Sequence, residues 1–194
     1  MSVAATDMRT RLIGGAADLI MRGGYKGFSY ADLSERFGIR SPSIHHHFPS
    51  KTDLVTAAVE QSRAGIRAQD AMFDQAAPAT EQLRAYTGYW DRCIRDQTAP
   101  FCLAAVLAAE LPSLPPQVAE AVRGHFVDLS RWLQRILALG VEQGVFKLEA
   151  SAAVEAEAFI AGVYGAMLAA RAFDDPQRYS DIVELFVGRI SRAS

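Results

Sequence analysis

Cysteine is scarce in this sequence of 194 residues, which has only Cys93 and Cys102. Two cysteines do not make a disulfide framework. Charged residues interrupt the apolar stretches, and none of these stretches is expected to span a bilayer, which takes about 20 residues. Asp7, Arg9 and Arg11 leave no apolar signal-peptide core near the start. We therefore expect a cytoplasmic protein with no membrane segment.

The signatures of common catalytic sites are also missing. The chain has no glycine-rich phosphate loop, no His-Glu-x-x-His pair and no nucleophile elbow. His125 and the acidic residues are scattered without the pattern of a catalytic triad. We therefore expect no enzymatic activity and no cofactor.

Neither sign of charge is in large excess. The chain has 20 basic and 22 acidic side chains, for a net charge of −2. Residues 1–55 hold 7 basic and 5 acidic side chains, a balance of +2, and the other 13 and 17 give −4. A basic N-terminal part is consistent with nucleic-acid binding, but so small an excess is weak support.

The most informative segment is Phe28–Lys51, FSYADLSERFGIRSPSIHHHFPSK. Ser29 is a favourable N-cap for a helix over YADLSERF, and Gly38 tolerates the positive φ that ends a helix. Ser41 is a favourable cap for a second helix, and Pro42 suits its first position. Two short helices joined by a turn with glycine predict a helix-turn-helix of the DNA-binding type.

The two helices have an apolar and a polar side. Leu33 with Phe37, and Ile44 with Phe48, are i, i+4 pairs that predict the buried side. The polar residues can hydrogen-bond base edges and phosphates, although a merely solvated surface has the same composition. The candidate DNA-binding residues are Ser29, Arg40, Ser41, Ser43, His45, His46 and Lys51. Of these, Lys51 is expected to meet a phosphate as a point charge.

The run of three histidines suggests a metal site at first sight. Neighbouring residues of a helix point about 100° apart, so His45, His46 and His47 cannot converge on one ion from one helix. Zinc motifs on helices use i, i+4 pairs instead. We predict no metal site here.

This segment resembles the N-terminal part of the tetracycline-repressor (TetR/AcrR) family of bacterial regulators. The shared residues are Gly24, Tyr25, Gly27, Ser29, Asp32, Leu33, Gly38, Ile39, His47, Phe48, Lys51 and Leu54. Many members have Tyr, which usually contacts the DNA backbone, where this chain has His45. The resemblance implies a homodimeric repressor of double-stranded DNA operators. Its DNA-binding domain is expected over residues 1–55 and its effector-binding and dimerisation domain over residues 56–194.

Helical periodicity continues through the rest of the chain, and no segment alternates with period 2. The predicted fold is therefore all-α, with a three-helix helix-turn-helix domain followed by a helical domain. Further helices are predicted over residues 8–22, 51–73, 80–95, 101–111, 117–143 and 152–173, and after Asp175-Pro176. Pro100 is expected to break the chain.

The last two helices are more apolar than a chain terminus requires. Packing within one chain is one explanation, and the resemblance favours a four-helix dimer interface instead. The candidate interface residues are Gly162, Gly165, Ala166, Ala169, Ile182, Leu185 and Phe186. A two-fold dimer places its recognition helices about 34–36 Å apart, so the expected operator is an inverted repeat.

The resemblance also implies a small-molecule pocket among the central helices. The candidate lining residues are Tyr86, Trp90, Cys102, His125, Trp132 and Tyr164. Ordinary core has the same composition as such a pocket. We expect a modest apolar or aromatic effector that releases the repressor by tilting the helix that begins at Lys51.

Two alternatives stay open. In the first, the same regulator is switched by electrophile or oxidant modification of Cys102, which lies at a helix start where the dipole favours the thiolate. The other reading of Cys102 is a buried, inert cysteine. A helical protein-interaction module is the second alternative, and it would not need the polar residues from Arg40 to Lys51.

Overall fold

The computed structural model describes residues 3–72, 76–99 and 101–191, with side chains from Asp7 onward. Within these ranges the chain forms nine α-helices and no β-strand, which confirms the all-α prediction. The helices are α1 (Val3–Gly23), α2 (Tyr30–Phe37), α3 (Ser41–His47), α4 (Lys51–Ala71), α5 (Ala79–Arg95), α6 (Leu103–Ala109), α7 (Pro116–Glu142), α8 (Ala152–Ala172) and α9 (Gln177–Ile190).

The predicted helix boundaries are close to those observed, with two exceptions. Helix α1 begins at Val3, five residues before the predicted start. The helix predicted over residues 101–111 is shorter, because α6 ends at Ala109 and Leu111–Ser113 forms a 3-10 turn. The predicted helix end at Phe73 and the predicted break at Pro100 lie outside the described residues.

The chain divides into two compact units, each built from two segments. The first unit contains the residues up to Gly65 together with Cys102–His125, and the second contains Ile66–Phe101 together with the residues from Phe126 onward. Helices α4 and α7 thus contribute to both units. The predicted domains were two continuous segments that meet after residue 55. The compact units are not continuous, because residues 102–125 belong to the first unit, and no local sequence pattern indicates this.

The N-terminal core of the first unit takes at least one fully buried apolar residue from each of its first four helices. Leu12 on α1, Leu33 on α2, Ile44 on α3 and Leu54 on α4 all have 0% exposure. Phe48, which follows α3, is buried as well. The short helix α3 is therefore held to the core by Ile44 and by its C-terminal neighbour Phe48.

In the second unit, α8 packs along α9. A Cβ at Gly162 would lie 2.8 Å from the Phe186 ring, so the missing side chain of Gly162 makes room for that ring. The Tyr179 hydroxyl on α9 donates to the Thr87 carbonyl on α5 at 3.0 Å, and burial raises the pKa of Tyr179. These contacts fix α9 against both α5 and α8.

Helix α8 corrects the expectation that no segment is long and apolar enough to span a bilayer. By length and composition alone, α8 meets that criterion. Its inner face is packed inside the second unit, and a core helix of a soluble protein passes the same test. The buried residues of α8 are Ala156, Phe159, Ile160, Val163, Ala166, Met167 and Ala170. The high apolar content therefore reflects a helix with one buried face and one apolar exposed face.

Candidate nucleic-acid interface

The first helix of the predicted motif begins and ends as its sequence indicates. Ser29 is the N-cap of α2, and the Asp32 carboxylate accepts from its backbone N–H at 2.6 Å and from its hydroxyl at 2.8 Å. These hydrogen bonds hold the pKa of Asp32 below its usual range. Gly38 ends the helix in the left-handed region, at φ 63° and ψ 31°. The helix-turn-helix prediction is confirmed.

Helix α3 begins one residue earlier than its sequence indicates. Arg40 is the N-cap, with φ −82° and ψ 145°, and Ser41 is already helical, so the prediction that Ser41 caps this helix is wrong. The Ser41 hydroxyl instead lies 3.1 Å from the Ser34 hydroxyl on α2. Ser41 therefore helps to join the two helices, and it is half-buried.

Most of the polar candidates lie at the surface, as a DNA-reading face requires. Ile44 and Phe48 turn inward, with 0% and 2% exposure. The exposed candidates are Ser29, Arg40, Ser43, His45 and His46. All but Ser29 belong to α3 and its cap, so the structure gathers them on one seven-residue helix.

His45 is oriented by two neighbours. Its Nδ1 lies 3.1 Å from the Pro49 carbonyl oxygen, and its ring meets the Tyr30 ring edge-to-face at 4.8 Å. A carbonyl oxygen only accepts, so this bond requires the hydrogen on Nδ1. His45 is therefore held in one orientation, with Nε2 left to meet other partners.

Tyr30 ties α2 to the residue that follows α3. Its hydroxyl donates to the Phe48 carbonyl at 2.9 Å. Burial, with smaller contributions from the charges of Asp53 and Tyr25, raises the pKa of Tyr30 to about 12. The neutral phenol is thus the form that the folded domain stabilises.

Replacing Tyr30 with phenylalanine should lower the free energy of unfolding by about 0.5–1.5 kcal/mol at pH 7, the usual worth of one hydrogen bond. The unfolded phenol ionises near its ordinary pKa of 10.0, and the folded one near 12. The neutral Tyr30 phenol thus makes its full contribution to the free energy of unfolding below pH 10, and this contribution is lost as the pH rises towards 12. Urea unfolding of both proteins between pH 8 and 12 measures the difference, which should shrink across that window. A difference that stays constant with pH would contradict this role.

Lys51 is placed differently from the expectation. Its ammonium donates to the Phe28 carbonyl oxygen and lies over the rings of Phe28 and Tyr25, at 4.2 and 4.8 Å from their centroids. Burial lowers the pKa of Lys51, and the negative charges of Asp32 and Glu110 oppose that shift. The side chain is half-buried and joins the start of α4 to the segment before α2. Its contact with a phosphate stays a prediction, and its packing role is the one that the structure provides.

Replacing Lys51 with methionine should lower the free energy of unfolding by about 1–3 kcal/mol, because the substitution removes a charged hydrogen bond and two cation–π interactions. Lys26 is exposed in the same part of the chain, so Lys26→Met is the matched control and should change stability by less than about 0.5 kcal/mol. Urea unfolding measures both. A Lys51→Met protein of unchanged stability but weakened DNA binding would show instead that Lys51 is only a phosphate contact.

Sequence reasoning missed Glu110, which follows α6. Its carboxylate accepts from the backbone N–H of Tyr25 at 2.9 Å. Gly24 has φ +72°, and a Cβ there would lie 1.9 Å from Glu110 Oε1. Glu110 thus binds the turn that precedes α2. A separation of 85 residues hides this contact from any local pattern.

The candidate effector residues fall in both compact units. Cys102 and His125 belong to the first unit and are buried, with 2% and 3% exposure, and the His125 Nδ1 lies 3.4 Å from the Ser62 hydroxyl. In the second unit, Tyr86 packs edge-to-face against Trp132 at 5.4 Å. The Trp90 indole lies 5.1 Å from the Tyr89 ring. Cys102 and His125 are thus core residues of the first unit, and Tyr86 and Trp132 pack together in the second.

One of the six, Tyr164, lines a cavity of about 630 Å³ between α7 and α8 that is open to solvent, with exposed Val127 and Ala161 in its wall. The Tyr164 ring meets Phe126 edge-to-face at 5.6 Å. The complete lining is Phe126, Val127, Ser130, Arg131, Gln134, Glu157, Ile160, Ala161 and Tyr164. The volume lies within the range of about 300–1,000 Å³ that is usual for small-molecule sites.

The candidate dimer residues differ in exposure. Leu185 is 56% exposed, and Gly165 is exposed with open space where a Cβ would be. Ala166 has 0% exposure inside its own chain, so its place among the interface candidates is corrected. Gly162 and Phe186 pack against each other within the chain. Ala169 and Ile182 are half-buried.

Helix α8 also has an exposed apolar stripe, of which the sequence candidates include only Gly165. Its residues recur at alternating intervals of four and three, which keeps them on one side of a helix. They are Val154, Ala158, Ala161, Gly165, Leu168 and Ala172, and all six are exposed. The uncovered side of α8 therefore carries an apolar stripe, with the exposed charged residues Glu157 and Arg171 beside it.

Two family models match the chain. The model described as bacterial regulatory proteins, tetR family, matches residues 12–58, and the one described as Tetracyclin repressor-like, C-terminal domain, matches residues 79–186. The second match covers more than half of the chain. The chain belongs to the TetR family.

Solved structures of transcriptional regulators are similar over almost the whole chain. A regulator from Agrobacterium tumefaciens is 46% identical with a TM-score of 0.91, and the match covers 97% of this chain and 100% of that one. A regulator from Legionella pneumophila is 25% identical with a TM-score of 0.82, covering 93% and 96%. A putative transcriptional regulator from Saccharomonospora viridis, in complex with choline, is 20% identical with a TM-score of 0.77, covering 97% and 100%. A search of curated proteins found no match.

TetR-family membership settles the class of this protein. Members are DNA-binding transcriptional regulators and not enzymes, which confirms the expectation of no enzymatic activity. The family model matched over residues 12–58 includes α3, which is the second helix of the TetR helix-turn-helix.

Proposed function

We propose that this TetR-family regulator is a homodimeric repressor that binds an inverted-repeat operator through α3 and is released by a small molecule. The observation that carries the DNA-binding part is the division of α3 into two sides. Ile44 has 0% exposure, whereas Ser43, His45 and His46 are exposed. A seven-residue helix held by one buried apolar residue thus presents these three polar side chains for contact.

The dimer part of the proposal is supported by the apolar stripe on α8. Leu168 and Val154 are 58% and 56% exposed on this stripe, and Leu185 on α9 is 56% exposed. Its small residues, such as Gly165, allow a second helix to approach closely. A second copy of α8 and α9 would cover this surface and would pair two α3 helices for the two halves of an operator. Such a repressor acts on chromosomal DNA, so its proposed location is the cytoplasm.

The effector part of the proposal places the small molecule in the cavity between α7 and α8. Phe126 and Tyr164 provide aromatic surface, and Ser130 and Gln134 provide hydrogen-bonding groups. This composition favours a modest aromatic or apolar molecule with a polar group. The choline complex of the Saccharomonospora viridis regulator is a precedent for a small ligand in a related fold. Release would follow from a tilt of α4, which begins in the helix-turn-helix unit.

Electrophile or oxidant sensing by Cys102 has less support than reversible effector binding. The side chain is 2% exposed at the start of α6, so a soluble reagent would not reach its sulfur without an opening of the chain. A protein-interaction module without DNA binding is also disfavoured, since it gives no role to the exposed polar side of α3.

A gel-shift titration with the DNA that flanks its own gene tests the DNA-binding proposal. Binding should weaken steeply with salt, and Arg40→Ala should lower the affinity and reduce the salt slope by about 0.9 for each phosphate that is no longer neutralised. Arg84 is exposed on α5 of the second unit, so Arg84→Ala is the matched control and should bind as the parent does. Equal losses of affinity in both variants would contradict the assignment of the interface to α3.

Filling the cavity tests the effector proposal. Ser130 is half-buried on the α7 side of the cavity, and Ser130→Trp would occupy its volume. A thermal-shift screen of small aromatic amines, alcohols and acids should find compounds that stabilise the parent but not Ser130→Trp. Stabilisation of both proteins by the same compound would place its site elsewhere.

A further inference from the structure

The recognition helix of this protein lacks permanently charged side chains. Its sequence, SPSIHHH, contains neither lysine nor arginine. Arg40 lies at its N-cap, and the ammonium of Lys51 is directed to the Phe28 carbonyl. A positive charge within α3 itself must therefore come from protonation of a histidine.

His45 is the histidine whose orientation restricts its chemistry. Its Nδ1–H is used by the Pro49 carbonyl, so the neutral ring has only a lone pair on Nε2. Phosphate oxygens accept hydrogen bonds and do not donate them, so a neutral His45 in this orientation cannot bond to a phosphate. The doubly protonated ring keeps its bond to Pro49 and gains an Nε2–H donor with a positive charge.

We infer that DNA binding by this protein takes up a proton at His45, which then donates from Nε2 to a backbone phosphate. This inference rests on the proposed function, because it assumes that α3 contacts DNA. One proton moves from solvent to Nε2 for each His45 engaged, and no other bond forms or breaks in the protein. DNA affinity should therefore rise as the pH falls.

Charged or titratable groups lie on α3 and on the other helices of the same unit. On α3 itself these are His46 and His47, and on α2 the Tyr30 phenol touches the His45 ring. The α1 and α4 helices bring Arg9, which lies over the Phe48 ring, together with Lys51 and Asp53. Among these side-chain types, histidine alone ordinarily changes charge between pH 5 and 8. His46 and His47 are thus the groups from which a test must distinguish His45.

The test measures affinity against pH with a duplex enriched from a random-sequence library by the parent protein at pH 6. Fluorescence anisotropy at constant salt gives the dissociation constant from pH 6 to 8. The parent should weaken by about tenfold or more, since one fully linked proton changes the constant tenfold for each pH unit. His45→Tyr keeps an aromatic ring with a donor that does not titrate in this range, and its dissociation constant should change by less than about threefold.

His47→Gln is the matched control, because it removes a titratable ring from the same helix without touching the Pro49 bond. It should keep the pH dependence of the parent. A parent that binds with the same affinity from pH 6 to 8, or a His45→Tyr protein with an unchanged slope, overturns the inference while leaving DNA binding intact. Failure to enrich any duplex overturns the proposed function itself.

Discussion

Replacing Ile44 with alanine is expected to lower the free energy of unfolding by about 2–5 kcal/mol, the usual range for truncating a large aliphatic core residue. Ile44 is fully buried, and it is the one buried residue within α3. Its side chain sets the position of the exposed polar residues, so DNA binding should be abolished as well. Urea unfolding followed by circular dichroism measures the first effect, and anisotropy with labelled duplex measures the second.

The neighbouring residue provides the control for this stability change. Ser43 is exposed on the same helix, and Ser43→Ala should change the free energy of unfolding by less than about 0.5 kcal/mol. Hydrogen exchange of the α3 amides should accelerate in Ile44→Ala and stay slow in Ser43→Ala. An Ile44→Ala protein as stable as the parent would mean that α3 is not held by this residue.

Replacing Leu168 with glutamate is expected to break the proposed dimer. Leu168 is 58% exposed on the α8 stripe, so the change should leave the fold of one chain intact. In a dimer that covers the stripe, the new charge would be buried without a partner, at a cost of about 3–5 kcal/mol, or an association weaker by about 10²–10⁴-fold. Sedimentation equilibrium over a range of protein concentrations measures the association directly.

The control for this charge places glutamate on another exposed apolar residue of the second unit. Val141 on α7 is 44% exposed, and Val141→Glu should leave the association constant unchanged. Leu168→Glu should also bind operator DNA more weakly, since one α3 helix replaces two. Parent and Leu168→Glu proteins that associate equally well would exclude α8 as the dimer surface.

The helix-turn-helix is predictable because its determinants are local. Ser29 bonds to Asp32 three residues later, and Ser50 bonds to Asp53 in the same way at the start of α4. Gly38 has the positive φ that its residue type tolerates. Ser41 shows the limit of this reasoning, because Arg40 takes the cap and the Ser41 hydroxyl meets Ser34 instead.

Sequence patterns did not predict the contacts between residues that are far apart in the chain. Lys51 is a residue type that often contacts phosphates, but its ammonium donates to the Phe28 carbonyl and lies over two aromatic rings. Glu110 reaches Tyr25 across 85 residues. Both contacts depend on how the helices pack, which periodicity along a single helix does not contain.

The two faces of α8 show a related limit. Small apolar residues occur all round this helix, so composition does not tell which of them face a partner. Ala166 is fully buried in its own chain, whereas Gly165 and Leu168 are exposed. Packing of α8 within its own chain determines which of its apolar residues are buried and which form the exposed stripe. The sequence alone does not distinguish the two groups.

Selection of duplexes from a random-sequence library, followed by sequencing, tests the central claim most directly. A repressor that binds through two α3 helices should enrich an inverted repeat whose half-sites lie about one helical turn apart. The enriched duplex should bind one dimer with steep salt dependence, and Arg40→Ala should bind it more weakly than Arg84→Ala does. Enrichment of no sequence, or binding that depends on Arg84 as much as on Arg40, would contradict the account.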